Sequence, residues 1–80
     1  MGRAMIFKQY DAVRIVAIKV PRAQFRDEFN LRRPKVGDVA CIVEVYSNPD
    51  GYELECSDAN GITQWLIAFG PEEIEVESLH

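Results

Sequence analysis

The sequence lacks most of the side chains on which catalysis and metal binding depend. Its 80 residues contain a single histidine, the terminal His80, and two cysteines, Cys41 and Cys56. A structural zinc site needs about four closely spaced ligands, so these residues are too few to form one. The sequence has no glycine-rich phosphate loop and no histidine beside a serine or cysteine nucleophile. We therefore predict no catalytic residue, no bound metal and no cofactor, and a protein that is not an enzyme.

Long apolar runs are missing as well. No stretch approaches the roughly 20 apolar residues that cross a bilayer, and residues 1–8 lack the apolar segment of a secretory signal. We therefore expect no membrane partner, a cytoplasmic location and reduced cysteines. A chain of 80 residues that is 48% hydrophobic and 10% aromatic is typical of one folded domain, which we assign to residues 1–80.

Basic residues are absent from the second half of the chain. All nine lysines and arginines lie within residues 3–35, together with three acids, so that segment carries 9 − 3 = +6. From Val36 to His80 there are ten acids and no lysine or arginine, which gives −10. This asymmetry predicts surfaces of opposite charge that attract a partner, unless the fold brings the two halves together and neutralises them.

Apolar residues that alternate with polar ones predict five short β-strands. These strands cover Asp11–Lys19, Val39–Tyr46, Tyr52–Ser57, Ile62–Phe69 and Ile74–Glu77. The fourth is apolar on both faces, which is typical of a central or barrel-closing strand. We therefore predict an all-β fold, a small five-stranded antiparallel barrel, because closing the sheet removes its exposed edges.

The segments between the strands have recognisable turn chemistry. Asn48–Gly51 and Asn60–Gly61 predict tight turns, and Pro71–Glu73 predicts one short helical turn before the last strand. Residues 1–9 precede the first strand as an N-terminal extension. Residues 20–36 form a long basic connector between the first two strands.

The pairing of the second and third strands has two possible registers. Matching their apolar faces puts Val45 opposite Tyr52, Val43 opposite Leu54, and Cys41 opposite Cys56. A three-residue turn at 49–51 would instead put Glu44 opposite Cys56. We favour the first register, because burying Glu44 would cost several kcal/mol. The cysteines are then two small core residues or, alternatively, a redox-sensitive cross-strand pair.

The connector around Pro21–Pro34 is charged but also contains Phe25, Phe29 and Leu31. These apolar residues either cap an open end of the core or form an exposed patch ringed by arginines. The second interpretation makes the connector a contact site. The partner-binding residues that it predicts are Arg22, Phe25, Arg26, Phe29, Arg32 and Arg33.

Four blocks of the sequence follow one another in a characteristic order. They are Tyr10–Arg14 (YDAVR), Lys35–Tyr46 (KVGDVACIVEVY), Tyr52–Cys56 (YELEC) and Asp58–Thr63 (DANGIT). In these blocks the chain resembles a family of small bacterial SH3-like proteins of unknown function, with Ala40 in place of a usual glycine and Cys56 in place of a phenylalanine. The resemblance implies an SH3-like barrel. Because some relatives lie beside toxin-like genes, it also implies an antitoxin- or immunity-type role.

The length of the connector, with Pro21 and its arginines, is similar to that of the SH3-like half of the nitrile hydratase β-subunit. Lys35–Val39 and the strand after it also resemble KOW-type nucleic-acid modules. A sequence pI of about 4.8 argues against nucleic acid as the partner. We therefore predict a non-enzymatic protein-interaction module that binds a protein partner or a second copy, with a KOW-like nucleic-acid-binding module as the alternative.

Overall fold

The computed structural model describes residues 7–19 and 30–79, which form five antiparallel β-strands. The strands are β1 (Ala12–Ile18), β2 (Val39–Tyr46), β3 (Gly51–Ser57), β4 (Thr63–Phe69) and β5 (Ile74–Ser78). They form one sheet in the order β4–β3–β2–β1–β5. None of the described residues belongs to a helix that could cross a membrane. The prediction of a small five-stranded all-β fold is therefore confirmed.

The sheet is consistent with a small barrel-like fold but is not closed. Its edge strands are β4 and β5, and they are not paired with each other within residues 7–19 and 30–79. The expectation of a central or barrel-closing fourth strand is wrong: among the described residues β4 pairs with β3 alone and lies at an edge of the open sheet, and Leu66 and Ala68 are exposed. Its two apolar faces reflect one buried face and one that remains at the surface.

One face of the sheet holds the hydrophobic core. Trp65, Val13, Ile15, Ile42 and Leu54 are almost completely buried there. The ring of Phe7, which belongs to the predicted N-terminal extension, packs edge-on against Tyr52 with centroids 5.8 Å apart. Burial of large apolar side chains is the main stabilising term in a domain this small.

The pairing of β2 with β3 corrects the predicted register. Val45 lies opposite Tyr52, as expected, but Cys41 lies opposite Glu55 rather than Cys56. A bulge between Ile42 and Glu44 adds one residue to β2. On the N-terminal side of this bulge, the side chains that were expected to face the core lie on the outer face, and those expected outside face the core. Ala40 and Ile42 therefore face the core in place of Val39, Cys41 and Val43, and the alternative pairing of Glu44 with Cys56 is also wrong.

The turn before β5 is a hydrogen-bonded turn and not a helix. The Glu73 N–H donates to the Gly70 carbonyl at 3.1 Å, and the Gly70 N–H donates to Oε1 of Glu73 at 2.7 Å. The two turns that were predicted from Asn48–Gly51 and Asn60–Gly61 are present, and Gly61 has a positive φ of 80°.

Gly51 is needed for a different reason from the one its turn position predicts. The left-handed residue of that turn is Asn48, with a φ of 56°. A Cβ on Gly51 would lie 2.9 Å from the backbone oxygen of Phe69, which is closer than packed atoms can approach. The glycine therefore allows the backbones of β3 and β4 to meet.

Gly51→Ala should lower the free energy of unfolding by about 1–3 kcal/mol, because the new methyl group is overpacked against backbone that cannot move aside. Gly70→Ala is the matched control, since its Cβ would meet only the Glu73 side chain at 3.6 Å or more. Urea denaturation measures both variants. Equal urea midpoints for the two variants would show that the close approach of Gly51 to Phe69 leaves room for a methyl group.

Candidate interaction surface

The end of the predicted connector lies along the outer edge of β4. The Leu31 N–H donates to the Gln64 carbonyl at 2.8 Å, and the Leu66 N–H donates to Oδ1 of Asn30 at 2.9 Å. These hydrogen bonds satisfy backbone groups on the side of β4 that faces away from β3. The Leu31 side chain is 70% exposed, so it does not cap the core.

A buried carboxylate holds this segment in place. Asp38 is only 7% exposed, and its two oxygens accept hydrogen bonds from both Nη atoms of Arg32, at 2.9 and 3.1 Å. Its Oδ2 also accepts from Nε1 of Trp65 at 3.0 Å and from the Lys35 N–H at 2.9 Å. A two-pronged guanidinium–carboxylate pair with further donors is the strong form of this interaction.

These contacts determine the charge of the site. Burial raises the pKa of Asp38, but hydrogen bonds from Arg32, the Lys35 N–H and Trp65 outweigh it, so the pKa lies below its ordinary value. The hydrogen bond to Asp38 in turn raises the pKa of Arg32. Asp38 is therefore ionised at neutral pH, and removing either partner would leave the other without its counter-charge.

Asp38→Asn should lower the free energy of unfolding at neutral pH by about 2–3 kcal/mol, since a partly buried charge loses its partner. Glu77→Gln is the control, because the Arg14–Glu77 pair is about half exposed and such pairs contribute at most about 1 kcal/mol. Because the pKa of Asp38 is lower in the folded state than in the unfolded chain, its ionised carboxylate stabilises the fold at pH values above the unfolded pKa of about 3.9. This stabilisation is lost as the pH falls through the pKa of the folded state.

The difference in the free energy of unfolding between wild type and Asp38→Asn should therefore become smaller in acid. Urea midpoints at neutral pH and below about pH 4, followed by the fluorescence of Trp65, measure this change. Trp65 is the only tryptophan in the chain and touches Asp38, so it reports on the site directly. A difference in the free energy of unfolding that stays constant down to strong acid would contradict the lowered pKa of Asp38.

The residues predicted to contact a partner are only partly within the described structure. Arg32 is held by Asp38, and Arg33 is half-buried with an interaction partner of its own. Both arginines are thus engaged within the fold, and their contact with a partner stays a prediction. The other predicted contact residues lie outside the described residues; they are Arg22, Phe25, Arg26 and Phe29.

The two cysteines lie on opposite faces of the sheet. Cys56 is 4% exposed and accepts a weak contact from Nη2 of Arg32 at 3.6 Å, whereas Cys41 is half-buried on the outer face. Burial raises the pKa of both thiols, and the negative charges of Glu55 and Asp11 raise that of Cys41 further. Because the thiolate is the reactive form, neither environment activates a nucleophile.

We expect no intramolecular disulfide and a clear difference in thiol reactivity. A short pulse of iodoacetamide on the native protein should label Cys41 first, because Cys56 becomes accessible only on unfolding. Peptide mass mapping measures the order, and urea-unfolded protein is the control. Equal labelling of both cysteines, or a mass two daltons low without reductant, would contradict the structure.

A groove lies between the two turns at one end of the sheet. It is lined by residues 46–51 and 68–73, has a volume of about 860 Å³ and is shallow and widely open to solvent. We call it the turn groove. Both turns place a proline and an acid at its rim: Pro49 and Asp50 on one side, Pro71 and Glu72 on the other.

Neither the turn groove nor the buried carboxylate was predicted from the sequence. The repeated proline–acid order in two turns that follow β2 and β4 was a usable signal for the groove, because alternate turns of an antiparallel meander lie at the same end. No comparable signal marks Asp38, which follows Gly37 as many turn acids do.

The chain matches no protein-family model, no curated protein and no solved structure. Its resemblance to the small bacterial SH3-like family and to the nitrile hydratase β-subunit stays a prediction. Within residues 7–19 and 30–79 there is no group of three or more side chains placed to hold a metal ion.

Proposed function

We propose that the protein is a non-enzymatic interaction module that recognises a basic protein surface by charge. The supporting observation is the excess of acidic residues in the part of the chain that forms β2 to β5. The chain has 9 lysines and arginines and 13 acids, a net charge of −4, and from Val36 to His80 it has ten acids and no lysine or arginine. Two of these acids form ion pairs with described residues, Glu77 with Arg14 and Asp38 with Arg32.

The outer face of β2 and β3 adds a second argument. Glu44 lies directly opposite Glu53, and facing like charges reduce the stability of a sheet. The Tyr46 hydroxyl donates to Oε1 of Glu53 at 3.0 Å, and this bond, with the charges of Glu53 and Glu44, raises the pKa of Tyr46. A cation supplied by a partner would relieve the repulsion that the fold leaves in place.

This charge favours a basic protein partner over a nucleic acid, since phosphates would be repelled by the same carboxylates. An antitoxin, an immunity protein or an accessory protein would act through such a surface. The basic connector with its predicted contact residues remains the complementary surface of the same proposal, and a bacterial, cytoplasmic protein is the setting we propose for it.

Wild-type protein should bind a labelled arginine-rich peptide at low salt and release it at high salt, because exposed charges are screened. Glu44→Gln should weaken binding and slightly raise the urea midpoint, since it removes one of two facing carboxylates. Glu75→Gln is the control, because Glu75 is exposed on β5 and lies opposite Ala17 rather than another acid.

Fluorescence anisotropy measures peptide binding, and light scattering at both salt concentrations measures self-association. Binding of DNA or RNA in place of the basic peptide would favour the KOW-like alternative. A monomer that binds neither peptide nor nucleic acid at low salt would refute the proposal.

A further inference from the structure

The turn groove has walls and a floor that are fixed by the fold. Phe69 is 3% exposed and lies in the floor, where its ring packs edge-on against Trp65 with centroids 6.3 Å apart. Trp65 is in turn held by its hydrogen bond to Asp38. A floor that is ordered before a ligand arrives lowers the entropic cost of binding.

The rims of the groove are apolar in body and negative in charge. Tyr46 and Pro49 form one rim and Pro71 the other, and these side chains offer flat apolar surface to a ligand. Asp50 and Glu72 are exposed on opposite turns and make no ion pair or hydrogen bond within the described residues.

No lysine or arginine occurs among the residues that line the groove. Glu73 is the remaining acid there, and it is occupied as the acceptor for the Gly70 N–H. A ligand that complements the groove therefore carries a positive charge. The carboxylates of Asp50 and Glu72, which have no partner within the described residues, lie on opposite sides of the groove.

The geometry points to one occupant, an extended segment of a protein partner that carries an arginine or lysine between apolar residues. Its apolar side chains pack on Tyr46 and Pro71, and its cation lies between Asp50 and Glu72. An exposed cation over a tyrosine ring gains further attraction. This inference rests on the proposed function and gives it a binding site and a ligand chemistry.

The shape of the groove and the charges of the chain favour this occupant over others. A small molecule in a groove this open would keep much of its surface in water, whereas enclosed sites bury most of their ligand. A second copy carries the same net charge of −4, so like-charge repulsion opposes its approach, whereas a basic partner is attracted.

The test uses the full chain labelled with ¹⁵N and a short peptide in which arginine alternates with leucine. We expect its largest chemical-shift changes at residues 46–51 and 68–73. The double variant Asp50→Asn, Glu72→Gln should bind about three- to tenfold more weakly, as the loss of two exposed ion pairs implies. Glu75→Gln should bind within about twofold of wild type. The same peptide with glutamate for arginine should not bind.

The outcomes separate this inference from the proposed function. If the peptide binds but shifts residues around Glu44 and Glu53, or if the double variant binds as tightly as Glu75→Gln, the groove assignment is wrong while charge-based recognition stands. If wild type dimerises at low salt and the double variant does not, the occupant is a second copy and the assignment of an external partner is overturned. If no basic peptide binds, both proposals fail.

Discussion

The ion pair between Asp38 and Arg32 is the interaction on which the rest of the structure depends. A carboxylate with 7% exposure is tolerated only when its oxygens are fully hydrogen-bonded, and here two parts of the chain supply the donors. Arg32 and the Lys35 N–H both come from the end of the connector, and Trp65 comes from the edge strand β4. One buried charge thus joins the connector to β4 just before the start of β2.

The contacts of Trp65 connect this ion pair to the turn groove. Trp65 lies between Asp38 and Phe69, so the anchor of the connector and the floor of the turn groove are neighbours in one packed row. The floor belongs to the hydrophobic core, whereas the acidic rims belong to the turns. The carboxylates of the rims are therefore displayed beside a packed row of aromatic side chains.

Much of the fold could be predicted from the sequence because alternation and turn chemistry are local signals. The turn at Asn48 sets the pairing of Val45 with Tyr52, because these residues lie close to it. The bulge between Glu44 and Ile42 then reverses which side chains of β2 face the core in the part of the strand that is farther from the turn. No residue type marks such a bulge. Arg32 was predicted to contact a partner from an exposed patch, and only the folded chain brings it to Asp38. The turn groove depends on how two turns lie side by side, which local patterns do not encode.

The docking of Asn30 and Leu31 on β4 has a consequence for how molecules of this protein behave together. An uncovered strand edge is a template on which strands of other chains add, and β4 is an edge strand rich in apolar residues. By occupying the backbone of Gln64 and Leu66, the connector closes that stretch of edge to neighbouring molecules. Without the buried ion pair that holds the connector, this apolar edge would be open to the strands of other molecules.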